Sequence, residues 1–311
     1  MDLIYYDDSL KEQWDRLVKE SRNGTFLFYR NYMEYHKEKY KDKSIVFKDG
    51  GKVVAAFPAN FTNDCIYSHG GLTYGGMVLN FSLKFKAIDE IFKKILDRYR
   101  EEGFTKIVYK AIPYIYSKVP SEEDLYILFR NKARLIRREI SVTIALQEQF
   151  QINSSRRRII RKAKGKNIII EESTEYSEFW NLLTDNLKKR YNKLPVHSLK
   201  EISYLSEKFP NNIRLHQARL EGEVVAGVVA YENFRTCHLQ YIADNDIGRE
   251  EGALDLLISH LIERYRSLGF NYLDFGICTE DGGKYLNENL IYYKQSFGGT
   301  GVNYDTYEVD L

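Results

Sequence analysis

Cysteine is scarce in this 311-residue chain and scattered: Cys65, Cys237 and Cys278 lie far apart, with no C-x-x-C spacing. That pattern excludes a disulfide framework and a cysteine zinc site, and it fits a reducing compartment. Proline is also scarce, with 5 residues beside 20 glycines, so neither collagen-like nor low-complexity character is present. No apolar run approaches the ~18 residues of a membrane span. The start, MDLIYYDDSLKEQWDRL, lacks the basic and apolar regions of a secretory leader. Nor does charge of one sign dominate, since 46 Lys and Arg face 44 Asp and Glu. This argues against a surface given over to nucleic acid, and against DNA as a partner. A soluble, cytoplasmic protein without a metal is expected.

What is present is 43% apolar and 29% charged residues, enough for a sizeable core, and a length that suits two domains or one large one. Tyrosine is abundant, with 25 Tyr and 17 Phe against 2 Trp; these rings line a polar cleft or simply follow β-propensity. The most informative feature is a weak internal repeat. GKVVAAF at 51–57 and GEVVAGV at 222–228 each sit between alternating apolar stretches and read as β-hairpins. A β-rich stretch follows each, CIYSHGGLTYGGMVL and CHLQYIADN, and then an amphipathic helix. Both helices stop at Gly-Phe, Gly103-Phe104 and Gly269-Phe270, with glycine placed as a left-handed cap. The Gly51-to-Gly222 offset is 171 and the Gly103-to-Gly269 offset is 166, close enough to imply one unit written twice. The order strand-strand-strand-helix-strand-helix-strand predicts a mixed α/β tandem, with a boundary near residue 150 where SVTIALQ gives way to EQFQINSSRRR.

That order resembles the fold of the GCN5-related N-acetyltransferases (GNAT), and its doubled form resembles the FemAB-type peptidyltransferases. The resemblance sharpens in NYLDFGICTEDGGKYLNENLIYYKQSFGG, where Asp274, Phe275, Gly276, Lys294, Phe297 and Gly298 match a FemAB-like signature. SSRRRIIRKAKGKNIIIEES resembles the basic helix and strand that open the second domain of these proteins. The fold implied is two GNAT-like domains, each a mixed, mostly antiparallel sheet flanked by helices. The first half carries YKAIPYIYSK in place of the Asp-Phe-Gly stretch and Phe129 near the position of Lys294. Residues 1–150 are therefore expected to be a degenerate, acceptor-binding domain and residues 151–311 the donor-binding, catalytic one.

Acyl transfer needs a grip on the donor, a route for the nucleophile's proton and stabilisation of the oxyanion. The resemblance implies acetyl-CoA or another acyl-CoA as donor, its pyrophosphate seated at a helix N-terminus. In NDIGREEGALDLL the partial match falls on Gly248, Arg249, Gly252 and Ala253; the same residues also read as an ordinary capped helix start. Lys294 is the candidate oxyanion or phosphate partner, or a solvated helix lysine. Asp274, at the end of an apolar strand, is a proton acceptor or a loop cap. Tyr293 is a proton donor or a core residue. His238 is a candidate general base that shares a strand face with Gln240. Around the acceptor the candidates are Arg190, His197, Gln240 and Tyr241 in the second half, with Tyr191 beside them, and His69, Tyr74, Lys110 and Tyr116 in the first. His197 also precedes an S-x-x-E capping box starting at Ser198.

Residues 156–166 hold Arg156, Arg157, Arg158, Arg161, Lys162, Lys164 and Lys166 with no acid among them. This is a solvated face, or a seat for tRNA, a nucleotide-sugar diphosphate or anionic lipid. Three functions follow. The leading one is acetyl-CoA-dependent N-acetylation of an amino sugar or nucleotide-linked sugar in bacterial envelope synthesis. The second is FemAB-type transfer from aminoacyl-tRNA onto a peptidoglycan precursor. The third is a non-catalytic module that binds a glycan or nucleotide.

Overall fold

A computed structural model describes residues 1–311, the side chain of Tyr191 apart. The chain forms two compact units: residues 1–139, 279–285 and 303–311, and residues 140–278 and 286–302. This differs from a single cut near residue 150, because strands are exchanged. Residues 141–145 of strand Arg134–Ala145 pair antiparallel with Tyr272–Ile277 of the second unit. Residues 306–310 of strand Thr300–Asp310 pair with Lys106–Lys110 of the first.

In the first unit the hairpin Ile45–Asp49 and Lys52–Phe57 lies between Asp2–Tyr5 and Val78–Leu79, all antiparallel. Short strands Lys41–Asp42, Asn60–Thr62 and Cys65–Tyr67 lead on to Lys106–Lys110, the last pair being parallel. The stretch expected to be β-rich after the hairpin is interrupted at residues 68–77, where glycines and the half-buried Lys110 organise a loop instead. Helix Phe85–Glu101 buries Ile88, Ile91, Phe92, Ile95, Leu96 and Tyr99, a 3.6-residue stripe, into the core of this unit.

The second unit runs Ile168–Ser173, Ile213–Leu220, Glu223–Glu232, Thr236–Asp244 and Tyr272–Ile277 across its sheet. The first four are antiparallel neighbours and the last two are parallel. Strand EVVAGVVAYE is buried along nearly its whole length, as its unbroken apolar run requires. Helix Ala253–Ser267 packs Leu257, Ile258, Leu261, Ile262 and Tyr265 into the core of this unit.

The repeat is visible in both units. Each places a hairpin, a parallel strand pair and a long helix in the same order. Each long helix closes on a left-handed glycine, with φ of +84° at Gly103 and +80° at Gly269. Phe104 N–H donates to the Tyr99 carbonyl and Phe270 N–H to that of Tyr265, the same six-residue closure twice.

Candidate active site

Strands Thr236–Asp244 and Tyr272–Ile277 stay paired for three residues only, ending where His238 stands opposite Asp274. Beyond Asp274 the register against the Ser141 strand also shifts, and Gly276 takes φ +75°. The strands thus part at the residue expected to mark an opening. Asp274 is fully buried. Its Oδ2 accepts from His238 Nδ1 at 2.7 Å, and its Oδ1 accepts from Thr143 Oγ1 at 2.8 Å and from the Ser141 hydroxyl. Gly276 N–H approaches the same oxygen at 3.4 Å. Ser141, Thr143 and His238 can each donate to this carboxyl group, the imidazole from Nδ1.

Asp274 thus holds His238 from a fully buried position, with two hydroxyls on Oδ1 and the imidazole on Oδ2. An ideal Cβ at Gly276 would lie 3.3 Å from His238 Cε1, so the glycine gives the imidazole room as well as the positive φ.

Lys294 occupies the same bulge from helix Glu288–Gln295. It is buried, and its Nζ donates to the carbonyls of Gly276 at 2.8 Å and Ile277 at 2.9 Å. Burial pushes its pKa below the ordinary lysine value, while Cys278 and Asp274 push it back up. The expected oxyanion partner is thus engaged with backbone, as a clamp on the strand end. Phe297 is fully buried and its ring lies 5.7 Å from that of Phe275. The Asp-Phe-Gly and Lys…Phe-Gly stretches are one packed unit that shapes the dyad.

Tyr293 belongs elsewhere. Its hydroxyl donates to Asp255 Oδ1 at 3.1 Å, with the Arg156 guanidinium 4.4 Å above its ring, and burial holds its pKa well above the usual phenol value. Arg156 Nη1 donates to the same Asp255 oxygen at 2.6 Å and its Nε to Ser296 Oγ at 2.9 Å. Tyr293 thus holds this cluster through its hydroxyl, where a proton-donating role had been expected.

The expected donor loop is likewise not an open cradle. Residues Asp246–Glu251 form a short helix, Gly252 turns at φ +72°, and helix Ala253–Ser267 begins at once. Gly248 packs against the Val225 carbonyl, so its lack of Cβ serves the sheet. Arg249 is paired with Asp244 at 2.8 Å and Asp246 at 3.0 Å. An ideal Cβ on Gly252 would lie 2.8 Å from Ile159, and residues 252–259 are buried without a break. Gly248, Arg249, Gly252 and Ala253 therefore do not fit a coenzyme A pyrophosphate, which needs exposed N–H groups at a helix start.

The other expected contacts divide. His197 is buried and shares a 2.5 Å bond with the Tyr241 hydroxyl, whose pKa burial raises to about 12; Trp180 packs edge-on against Tyr241 at 5.0 Å. Gln240 sits where the register between Glu223–Glu232 and Thr236–Asp244 slips, and it is half-buried like His238. Arg190 stands 3.9 Å from Asp244, on the rim of that strand's end.

In the first unit, Tyr74 and Tyr116 are core residues. Tyr74 bonds Thr25, and the Tyr116 hydroxyl meets that of Tyr304 at 2.7 Å. Lys110 Nζ donates to the carbonyls of Leu72 at 2.7 Å and Gly70 at 3.1 Å, and burial lowers its pKa to about 8. His69 is buried at φ +59° with no hydrogen-bond partner at Nδ1 among the described residues, and burial drives its pKa down to about 3. Of these four expected acceptor contacts, His69, Tyr74 and Tyr116 are buried and Lys110 is half-buried.

Helix Ser154–Lys164 keeps Arg157, Arg158, Arg161, Lys162 and Lys164 exposed, and no ion pair among the described residues engages them. Arg156 turns inward to Asp255, and Lys166 pairs with Glu251. Ser141, Thr143 and Asp255 were not among the expected site residues, and Arg156 was expected only as part of the basic run. The signal for the first two was two hydroxyls at i and i+2 in the apolar strand SVTIAL. No group of His, Cys, Asp and Glu suited to a metal occurs among the described residues, and no helix there is long and apolar enough to cross a membrane.

Residues 151–295 match the family profile described as Acetyltransferase (GNAT) domain. Among curated proteins no sequence relative is found. Among solved structures, FemX superposes with a TM-score of 0.73 at 12% identity, covering 100% of this chain and 98% of that one. L-PGS from Bacillus licheniformis gives 0.62 at 12%, covering 95% and 90%. A tandem GNAT protein from the clavulanic acid biosynthesis pathway gives 0.50 at 9%, covering 99% and 98%. These likenesses establish the fold of the whole chain, and the profile names the second half. The whole chain therefore has the fold seen in FemX, and its residues 151–295 carry the match to the acetyltransferase (GNAT) domain family.

Proposed function

We propose that this protein transfers an acyl group from an aminoacyl-tRNA to the amine of a bacterial envelope precursor, with His238 as general base. The observation that carries the reaction class is the His238–Asp274 pair at the parting of two parallel strands. As the acceptor nitrogen forms its bond to the acyl carbon, His238 Nε2 takes the nitrogen's proton. Asp274 holds Nδ1–H and stabilises the imidazolium. When the tetrahedral intermediate collapses, the bond to the donor oxygen breaks and His238 returns the proton to that oxygen. The cytoplasm, where charged tRNA occurs, suits this reading.

For the donor, the support is the exposed cationic face of helix Ser154–Lys164 together with the closed loop at 246–255. A polyanion seated on five such cations binds with strong salt dependence, with a log–log slope of roughly −4. The second reading, acetyl-CoA-dependent acetylation of an amino sugar or nucleotide-linked sugar, is favoured by the description of the matching family profile.

The test offers the purified protein labelled aminoacyl-tRNA or labelled acetyl-CoA against amino-sugar nucleotides and peptidoglycan precursors. Phosphatidylglycerol vesicles are added as an acceptor because a similar fold belongs to a putative lysylphosphatidylglycerol synthetase. Salt-sensitive transfer from aminoacyl-tRNA, reduced by about 10²–10⁴ in His238→Gln, is expected. Transfer from acetyl-CoA alone decides for the second reading, and full turnover by His238→Gln removes the dyad from the chemistry.

A further inference from the structure

The first turn of helix Ala253–Ser267 is where a GNAT-type donor would lay its diphosphate, since backbone N–H groups and the helix dipole favour negative charge there. In this chain a carboxylate already stands in that turn. Asp255 is the third helical residue, is buried, and accepts from Arg156 and Tyr293. Arg156 is in turn fixed by Ser296 and lies over the rings of Tyr293 at 4.4 Å and Phe297 at 5.1 Å. Cation, hydroxyl and dipole are the parts of an anion site, and the chain fills it with its own acid.

We infer that Asp255 is a specificity determinant that stands in for the donor phosphate and bars coenzyme A from this domain. The inference rests on reading residues 151–295 as an acyltransferase domain, and it deepens that reading by excluding a donor class. A diphosphate entering here would place like charge against a buried carboxylate whose one strong counter-ion is committed. The turn before it is braced too, through Lys166 with Glu251 and Arg249 with Asp244. Burial raises the Asp255 carboxyl pKa while Arg156 lowers it, as expected for an acid kept in place by one guanidinium.

The experiment uses the full chain and reads binding and melting temperature, independent of turnover. Wild type is titrated with coenzyme A to about 1 mM, and amide exchange is followed over residues 246–256. No saturable heat and no protection are expected. Asp255→Ala leaves Arg156 beside the helix start without its acid. Inorganic phosphate and formate, at ionic strength matched with chloride, should then raise its melting temperature, with at least about tenfold tighter phosphate binding than wild type. Adding Arg156→Ala should abolish that response. Should Asp255→Ala fail to fold, Asp255→Asn keeps the packing and the Tyr293 partner and reads the same gain.

Coenzyme A binding by wild type with protection over 246–256 overturns the inference. So does an anion response in folded Asp255 variants no greater than in wild type. His238→Gln should leave all these isotherms unchanged, so a failure of the acyl-transfer reading shows in turnover and not here.

Discussion

His69 makes the first unit acid-sensitive in a way that can be isolated. Burial, reinforced by Arg30, Lys110 and His36, holds the imidazole neutral with a pKa near 3, against about 6.5 in an unfolded chain. A histidine depressed on folding contributes stability that is complete above pH 6.5. That stability is lost as the pH falls toward 3, because the unfolded chain takes up the proton that the folded one refuses. From pH 7 to pH 5 the loss is about 2 kcal/mol, at about 1.36 kcal/mol per pH unit. Asn at position 69 removes the titration and tolerates the left-handed backbone found there, φ +59°.

Trp14 lies in the first unit and Trp180 in the second, so a Trp180→Phe background leaves Trp14, fully buried with its indole N–H on the Phe28 carbonyl, to report on the first unit alone. Urea unfolding followed by this fluorescence at pH 7 and pH 5 should show the parent losing about 2 kcal/mol more than His69→Asn. Carboxylates common to both proteins cancel in that difference. Equal losses in the two proteins would refute the argument that desolvation governs this side chain.

Gly276→Ala should lower stability by about 1–2 kcal/mol through its positive φ, and should cut turnover further by crowding His238. Thermal melts and single-turnover rates check this, and an unchanged rate would free the imidazole from the glycine. Lys294→Met leaves the Gly276 and Ile277 carbonyls without their donor in a buried site, so a loss of about 1–3 kcal/mol is expected, with turnover falling as the bulge relaxes. A Lys294→Met protein of full stability but no turnover would instead mark the ammonium as acting directly on substrate.

The repeat was readable because its landmarks are local: an alternating hairpin, a helical stripe and a glycine cap depend on neighbours within a few residues, and Gly103 and Gly269 bear this out. The Asp-Phe-Gly and Lys…Phe-Gly stretches were readable as a signature, but not their physical role. That role requires knowing that Lys294 reaches back to the Gly276 carbonyl and that Phe297 meets Phe275. His238 and Asp274 were each named, yet their partnership is a register fact between strands 36 residues apart, which no local pattern carries. Tyr74, Tyr116 and Tyr293 looked like cleft residues because tyrosine suits both a cleft and a core, and only burial separates the two uses. Asp255 was invisible for the opposite reason: an acid in a first helical turn is so ordinary a cap that nothing marks it as the partner of Arg156.

The exchange of strands has a temporal consequence during synthesis. Residues 303–311 complete the sheet of the first unit against Lys106–Lys110, but the 163 residues from 140 through 302 are translated in between. At about 5–20 residues per second that delay is roughly 10 to 30 s. For that time the nascent Lys106–Lys110 strand offers an uncovered hydrogen-bonding edge, the kind of surface on which stray chains pair.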